Sequence, residues 1–525
     1  MKKSIILLAC ASMLFASCNE FLDEDPKSFE SLKGMYKNES QAQSNVNYLY
    51  RTGCLSMYTN GGSAYIGPFA SVTGMLTGYF VNSYEGQENV CKYARELTRQ
   101  AQTNNVSGTV DAVWDGCYAA INTANAALKY IPDINMDETN KATLLSEAKF
   151  FRAFNYYYLV KTFGDVPFYT EPYIEGKNME LPRTEAATVY AQIEKDLQEA
   201  VKVLPAKSFV ANGHRISKYV AEQLLSTVYM QQGKYAEALP YLKDIISSRA
   251  FQLTANTDQG LGSAYNKLRT TDDLQEVVYS YEYDDAISNS GWWPTYAFSS
   301  SAVGVFDKYA IFERVYGPYK RFLNIYDDND LRGQEKQFFA KSYTNPVNGK
   351  TWTAPNEDEM GCWYYFDEEA LEVSGRGTKD INIFRYAETL LDAAECIAQT
   401  TGPTAEAASY LAQIQARANT EGKTADEIAA TLQQLTKEKF IETCWTERLR
   451  EFPLEFKIWD DCLRTKKFPV ISETIKGEVT YVDLVGATNG SGAKFTESDL
   501  LWPISLNEIQ RNPKLTQNPG YKTHN

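Results

Sequence analysis

Apolar residues recur at spacings of three and four along much of the chain, which is the pattern of amphipathic helices. Residues 217–248 form the clearest unit, two such faces joined by a turn at 232–234. Stacked hairpins of this kind are typical of tetratricopeptide-like folds. Pro132 ends one further helix, and Thr184 is the predicted N-cap of another. The pattern predicts these further helices over 107–131, 141–163, 184–204, 381–399, 404–418 and 424–450.

The periodicity fades between residues 250 and 380, where Gly, Ser, Asn, Asp and aromatic residues become frequent. We expect long loops with short strands here, such as Glu276 to Tyr283. Loops of this length within a compact body are usually functional or disordered, and the aromatic content argues against disorder. Residues 466–500 are predicted to form a second excursion of strand and loop.

Composition narrows the function classes. The 525 residues carry a net charge of −15, with 52 Lys and Arg against 67 Asp and Glu, so a nucleic-acid footprint is not expected. Only His214 and His524 could supply imidazole, which leaves little material for a His-rich metal site or a His-based triad. Neither a metal nor a cofactor is predicted. Tyrosine is abundant, at 36 residues.

The start of the chain predicts a bacterial lipoprotein. Two lysines precede a short apolar run that ends in Phe15-Ala16-Ser17-Cys18. Residues 1–17 are predicted to be a signal peptide and Cys18 the lipidated first residue, carrying acyl chains such as palmitate. An ordinary signal peptide with an incidental cysteine is the alternative. The seven cysteines beyond Cys18 are an odd number, so they cannot all pair in disulfides.

Two acidic loops resemble calcium-binding loops but lack their ligands. In the loop that begins at Asp328, Arg332 occupies a ligand position and Phe339 replaces the closing Glu. In the loop that begins at Asp133, Leu144 takes that closing position. Neither is predicted to be an EF-hand.

Three segments resemble the SusD/RagB family of outer-membrane lipoproteins. The family's helix closing in Phe-Gly-Asp-Val-Pro matches EAKFFRAFNYYYLVKTFGDVPF, residues 147–168. Its Arg-Tyr-Ala-Glu helix and a later Glu-Arg helix match residues 381–399 and 447–465. Its closing pattern matches LWPISLNEIQRNPKLTQNPGY, residues 501–521, where Ser505 stands at the family's second Pro. Phe-Pro at 452–453 is a second departure from the family pattern.

The resemblance implies a mainly α fold, in which tetratricopeptide-like hairpins form a superhelical scaffold and carry a loop-rich half with short strands. The expected organisation is a signal at 1–17, an N-terminal region at 18–280 and a C-terminal region at 281–525, packed as one composite body. The charged residues of the motifs lie on predicted helices next to apolar faces and are interpreted as interhelical ion pairs rather than ligand contacts; these are Glu147, Arg152, Arg385, Glu388, Glu447 and Arg448.

The implied function is capture of nutrient glycans at the cell surface, without catalysis. The expected partners are a glycan, a SusC-like TonB-dependent transporter on which the protein acts as a lid, and the outer membrane through the lipid anchor. A peptide-binding or adhesin lipoprotein is an alternative. A glycoside hydrolase is another, since it needs only two carboxylates across the scissile bond.

A glycan site calls for exposed rings that cover sugar C–H faces and polar groups that satisfy hydroxyls. The tryptophan doublet of loop 289–296 fits this best, with core packing as the alternative. Arg376, between two glycines, offers bidentate contacts or is a solvated loop residue. Trp363, Tyr364 and Tyr365 are interpreted as core. The predicted contact residues are Trp292, Trp293, Tyr296, Tyr79, Asn82, Tyr84, Tyr58, Asn60 and Arg376, with Tyr65 as a weaker neighbour.

Overall fold

The computed structural model describes residues 32–58, 69–83, 89–97, 102–173, 180–284, 291, 293–306, 314–370 and 376–521. About half of the residues that the structure describes are helical, and the strands are short. The helices are α1 (Glu39–Leu49), α2 (Phe69–Met75), α3 (Asn89–Glu96), α4 (Gln102–Tyr130), α5 (Glu138–Phe163), α6 (Ala186–Val201), α7 (Lys218–Gln231), α8 (Tyr235–Ser247), α9 (Ala264–Thr270), α10 (Lys320–Leu323), α11 (Tyr386–Thr401), α12 (Ala405–Ala418), α13 (Ala425–Leu432), α14 (Lys437–Glu451), α15 (Ile458–Thr465) and α16 (Leu506–Arg511).

Successive helices pack on one another as hairpins. Helices α4 to α8 pack in chain order, α8 packs on α11, and α11 in turn contacts α12 and α14. The predicted hairpin at 217–248 is confirmed as α7 and α8. Ser217 caps α7 by accepting a hydrogen bond from the Val220 N–H. Gly233, at φ 72°, makes the turn between the two helices. The predicted mainly helical fold class is confirmed.

Three of the helix predictions differ from the structure for identifiable physical reasons. Thr184 is not an N-cap, because its backbone pairs with Val166 in an isolated bridge. Helix α11 starts only at Tyr386, since residues 381–385 are drawn into a strand. The segment 424–450 is two helices, because Thr436 caps a new start with a hydrogen bond from the Lys439 N–H.

The strands form two-stranded antiparallel ladders. The predicted strand near 276–283 is confirmed at Val277–Tyr281, and it pairs with Ile381–Arg385 in a register that joins Val277 to Arg385. The predicted excursion at 466–500 contains a hairpin in which Lys467 pairs with Asp483. The strands are β1 (Phe80–Val81), β2 (Val277–Tyr281), β3 (Gly317–Pro318), β4 (Ser342–Thr344), β5 (Thr351–Thr353), β6 (Ile381–Arg385), β7 (Lys467–Ile471) and β8 (Val479–Asp483). The predicted division at residue 280 stays a prediction, and β2 runs across it.

Buried ion pairs join the helices. The Arg152 guanidinium donates two hydrogen bonds of 2.8 Å to the Asp196 carboxylate. Arg448 binds Glu388 at 3.0 Å, and Arg385 meets three carboxylates at one point of the core. Unpaired charges are costly in an interior, so such clusters are stable only when each charge has partners. The prediction that the charged motif residues are scaffold is confirmed for these residues.

The seven cysteines of the described part of the chain are buried free thiols. Burial raises the pKa of Cys362 to about 12 and that of Cys54 well above its usual value. No helix in the described ranges has both the length and the apolar run that crossing a bilayer requires.

Candidate functional site

A cleft of about 600 Å³ lies in the loop-rich half of the molecule. Its size is that of a small-molecule or oligomer site, whereas three further cavities measure only about 20 to 40 Å³. Its walls come from the C-terminal end of α9, the loop before β4, the segment that leads into the start of β6, and the segment after α14. The lining segments are 261–272, 291–294, 336–346, 363–369, 377–382 and 454–456.

Two glycines hold one wall in place. Gly291 and Gly377 exchange backbone hydrogen bonds of 2.7 and 2.9 Å, which ties the tryptophan-doublet loop to the segment that leads into β6. A Cβ atom at Gly377 would lie 2.7 Å from Cγ of Pro294, closer than atoms can pack. Glycine therefore permits the close approach of the two segments.

A cluster of aromatic rings forms the second wall. Trp363 stacks on Phe366 with ring centroids 4.5 Å apart, and Tyr343 packs on Phe366 at 4.7 Å. The Trp363 indole N–H donates to Oδ1 of Asn266 at 2.8 Å, which fixes the ring's orientation. The Tyr343 hydroxyl donates to Glu368 at 3.0 Å. All three rings are buried, so they form a rigid apolar backing for the wall rather than free ring faces.

Trp293 lies at the base of the cleft. Its ring packs against Tyr365 at 4.7 Å and Phe456 at 5.3 Å, and its indole N–H donates to the Tyr58 carbonyl at 3.3 Å. Only 6% of the residue is exposed. Trp293 therefore shapes the floor more than it offers a free face.

Polar groups converge on the same space. The Lys379 ammonium lies 2.7 Å from Asp272, and the Tyr364 hydroxyl donates to Glu455 at 3.3 Å. Glu368 and Glu369 are exposed at the rim. The cleft thus combines aromatic walls with hydrogen-bond acceptors, which is the chemistry that binds polyhydroxylated ligands.

Family models match both halves of the chain. The model described as "Starch-binding associating with outer membrane" matches residues 36–230, and the model described as "SusD family" matches residues 340–521. The chain belongs to the SusD/RagB family.

Relatives and solved structures agree with this membership. The SusD-like protein P2 of Formosa agariphila is 26% identical over 99% of this chain and all of its own length. A solved SusD superfamily protein from Parabacteroides distasonis is 25% identical with a TM-score of 0.77, covering 92% of this chain and 99% of its own. The surface glycan-binding protein A of Bacteroides thetaiotaomicron, solved with laminarihexaose, shares the fold at a TM-score of 0.70 and 18% identity, covering 92% and 100%.

The predicted contact residues of this SusD-family chain do not cluster at a single site. Trp293 lies in the cleft, and Arg376 is half-buried next to it without lining it. Tyr296 packs edge-on against Trp293 and is fully buried. Four of the predicted residues lie outside the described part of the chain: Cys18, Asn60, Tyr84 and Trp292, as does Tyr65.

The predicted exposure is wrong for Tyr58, Tyr79, Asn82 and Tyr296, all of which are buried. The Tyr79 hydroxyl donates to the carbonyl of Pro469 at 2.8 Å, and burial raises its pKa to about 12. As placed, these four residues support the scaffold and do not line the cleft.

The segment 363–369 is a part of the site that the sequence did not assign to it. The interpretation as core is confirmed for Trp363, which is 3% exposed, but Tyr364 and Tyr365 are half-buried and line the cleft. Trp363 to Tyr365 form a single 3₁₀ turn, and this turn carries the rings into the cleft wall. The run Trp-Tyr-Tyr-Phe-Asp-Glu-Glu combines aromatic and acidic residues, and this local signal could have marked it. Arg269 and Asp380 carried no comparable signal, because loops distant in sequence bring them to the site.

An acidic cluster borders the cleft at Asp380. Burial, and then the negative charge of Glu282, raise the pKa of Asp380 to about 8, although the Tyr283 N–H donates to it at 2.8 Å.

Burial alone would lower the pKa of His214, but its 2.8 Å hydrogen bond to Asp273 and the nearby acids raise it. In the described ranges, His214, Asp273 and Glu282 form the one grouping of metal-type ligand atoms, all within 4.8 Å of one another.

Replacing Asp380 with Asn should raise the melting temperature strongly at pH 9 and much less at pH 5. Because the pKa of Asp380 is higher in the folded state than its ordinary 3.8, the folded state binds more protons between about pH 4 and 8. Stability therefore falls as pH rises through this window, and His214, with its raised pKa, acts in the same direction. Asn keeps an acceptor for the Tyr283 N–H. Thermal melts at both pH values, with the exposed Asp483→Asn as control, measure the difference. An equal effect of D380N at both pH values would contradict it.

Proposed function

We propose that this SusD-family protein binds oligosaccharides or polysaccharides in the aromatic cleft and captures them as nutrients. The single observation that carries the proposal is a preformed cleft of about 600 Å³ whose walls combine ordered rings with acceptor groups. The laminarihexaose complex of the Bacteroides thetaiotaomicron protein supports the same ligand class on this fold.

The cleft's residues suit each part of a sugar. Half-buried Tyr364 and Tyr365 offer apolar ring surface to the C–H face of a pyranose. The carboxylates of Asp272 and Asp367 accept hydrogen bonds from hydroxyls, and Lys379 can donate to ring or hydroxyl oxygens. Each aromatic contact contributes about 0.5–1.5 kcal/mol beyond area burial, so a few such contacts give weak capture, from roughly micromolar to millimolar.

Capture rather than cleavage is the proposed activity. A glycoside hydrolase would need a pair of carboxylates across the scissile bond, one of them protonated. Incubation with a bound glycan should release no reducing sugar, while a binding isotherm is still obtained. Release of reducing ends by purified protein would assign the molecule to the hydrolases instead.

The proposed setting is the outer face of the outer membrane, with a SusC-like TonB-dependent transporter as partner. The signal-like residues 1–17 and the box ending in Cys18 support a lipid anchor. The description of the family model that matches residues 36–230 supports association with the outer membrane. In this proposal the protein covers the transporter and delivers the captured glycan to it.

Replacing Tyr364 with Ala should weaken glycan binding about tenfold. The substitution removes one ring of the cleft wall, and a tenfold change corresponds to about 1.4 kcal/mol. Isothermal titration against a panel of soluble polysaccharides identifies a ligand, and the variant is then titrated with that ligand. Tyr364→Phe separates the ring from the hydroxyl that donates to Glu455.

Tyr48→Ala is the matched control for Tyr364→Ala. Tyr48 lies on α1, is 54% exposed and does not line the cleft, so binding should be unchanged. Equal affinities for the Tyr364 and Tyr48 variants, in proteins with unchanged melting temperatures, would place glycan binding elsewhere on the molecule.

A further inference from the structure

The charged side chains that line the described part of the cleft are unbalanced. Three are cationic, namely Arg269, Lys336 and Lys379. Six are carboxylates, namely Asp272, Asp367, Glu368, Glu369, Asp380 and Glu455. Glu455 is buried and paired with Arg385, which does not line the cleft, and Asp380, with its pKa raised to about 8, is largely protonated at neutral pH. The remaining four acids still outnumber the three cations.

The three cations are already engaged by the protein. The Arg269 guanidinium lies over the Trp363 ring at 4.7 Å, donates to the Phe366 carbonyl at 2.5 Å and feels the charges of Glu368 and Asp367. Burial lowers its pKa to about 10, which leaves it cationic at neutral pH. The Lys336 ammonium lies over Trp363 at 5.3 Å, and Lys379 is paired with Asp272 at 2.7 Å. Binding an anionic sugar would therefore mean competing with these contacts.

The acids, in contrast, reach the opening. Glu368 and Glu369 are exposed, and Asp367 is half-buried beside them. A cleft with walls of low dielectric concentrates the field of such groups, so the opening is negative.

Uncharged and anionic sugars meet this field differently. A hydroxyl donates to a carboxylate in a charge-assisted hydrogen bond, about twice as strong as a neutral one. A uronate carboxylate or a sulfate has no donor for the rim acids and is repelled by them, most strongly at low salt. The same cleft therefore accepts one kind of polysaccharide and rejects the other.

We propose that the cleft is specific for uncharged glycans and excludes polyanionic ones, whether uronic or sulfated. This selectivity rests on the proposed function of the cleft. It names the chemical class of the ligand, which neither the family match nor the aromatic walls determine.

The test compares two polymers that differ only in charge, a neutral β-glucan and the same glucan with its C6 hydroxyls oxidised to carboxylates. Titration calorimetry in 20 mM and 300 mM NaCl gives the affinities. We expect the oxidised polymer to bind at least about tenfold more weakly at 20 mM, and the difference to shrink at 300 mM as the charges are screened. If that glucan is not bound, the same oxidation is applied to whichever neutral glycan binds.

Charge reversal tests whether the rim acids cause the selectivity. At 20 mM NaCl, the double variant Glu368→Lys and Glu369→Lys should have a smaller difference in affinity between neutral and oxidised glucan than the unmutated protein. Glu497→Lys, at an exposed acid outside the cleft, should leave that difference unchanged. Oxidised glucan that binds as tightly as neutral glucan at low salt would overturn the inference while leaving glycan capture intact. Binding of a lysine-rich peptide but of no glycan would overturn both. The salt dependence of the unmutated protein keeps the inference testable if the double variant does not fold.

Discussion

Replacing Arg385 with Met should lower the free energy of unfolding by about 3–5 kcal/mol. Arg385 is completely buried and donates to Glu276 at 2.5 Å, to Glu451 at 3.2 Å and to Glu455 at 2.8 Å. Arg417 still neutralises Glu276 and Glu451 in the variant, at 2.7 and 2.5 Å. Glu455 loses its main partner, so a buried carboxylate is left uncompensated. Urea denaturation followed by circular dichroism measures the loss.

The pH dependence of this loss identifies its cause. Burial raises the pKa of Glu455 even in the intact protein, where Arg385 opposes the increase. Without Arg385 the pKa should rise further, so part of the lost stability should return as the pH falls from neutral towards 4.5, because the folded state takes up the proton first. Lys476→Met, which breaks an exposed pair with Asp328, is the control and should cost less than about 1 kcal/mol. A loss of similar size in both variants would mean that the buried cluster is not important for stability.

Replacing Trp293 with Ala should also lower the free energy of unfolding, by about 3–5 kcal/mol. The sequence alone predicts the opposite, that Trp292→Ala or Trp293→Ala weakens glycan binding with the melting temperature nearly unchanged. The structure changes this expectation for Trp293, because its ring is packed between Tyr365 and Phe456. Removing it leaves a cavity under the cleft floor, so glycan binding should weaken as well.

Trp293→Phe separates packing from hydrogen bonding. Phe keeps a ring in the same place but cannot donate to the Tyr58 carbonyl, so we expect a smaller loss of about 1–3 kcal/mol. Thermal melts and glycan titrations of both variants measure the two effects. A Trp293→Ala protein that melts like the unmutated one would show that the ring is exposed in solution, as the sequence pattern predicts.

The sequence predicts the helices well, because helical periodicity is local. The hairpin at 217–248 is recognisable from the spacing of its apolar residues and the glycine of its turn. Helix predictions fail where a distant segment pairs with the backbone of the predicted helix. Residues 381–385 read as helix, but β2 pairs with them from about 100 residues earlier in the chain.

For the site, too, the sequence predicts what is local and misses what depends on long-range contacts. The sequence places it in the loop-rich half and marks the 289–296 loop, of which Gly291, Trp293 and Pro294 line the cleft. It does not reveal which aromatic rings are exposed, because exposure depends on long-range contacts. Tyr79 is buried because β7, almost 400 residues later in the chain, supplies the acceptor for its hydroxyl. Trp363 lines the cleft because Asn266 and Arg269 hold it there.

By itself, the sequence determined the helical scaffold, the family, the acidic charge and the scaffold role of the motif arginines. These depend on local spacing and on residue types that can be read one segment at a time. Only the tertiary structure decided which rings form the cleft and which charges surround it. Both depend on loops from five or more parts of the chain that come together only in the folded protein, so they cannot be predicted from local sequence patterns.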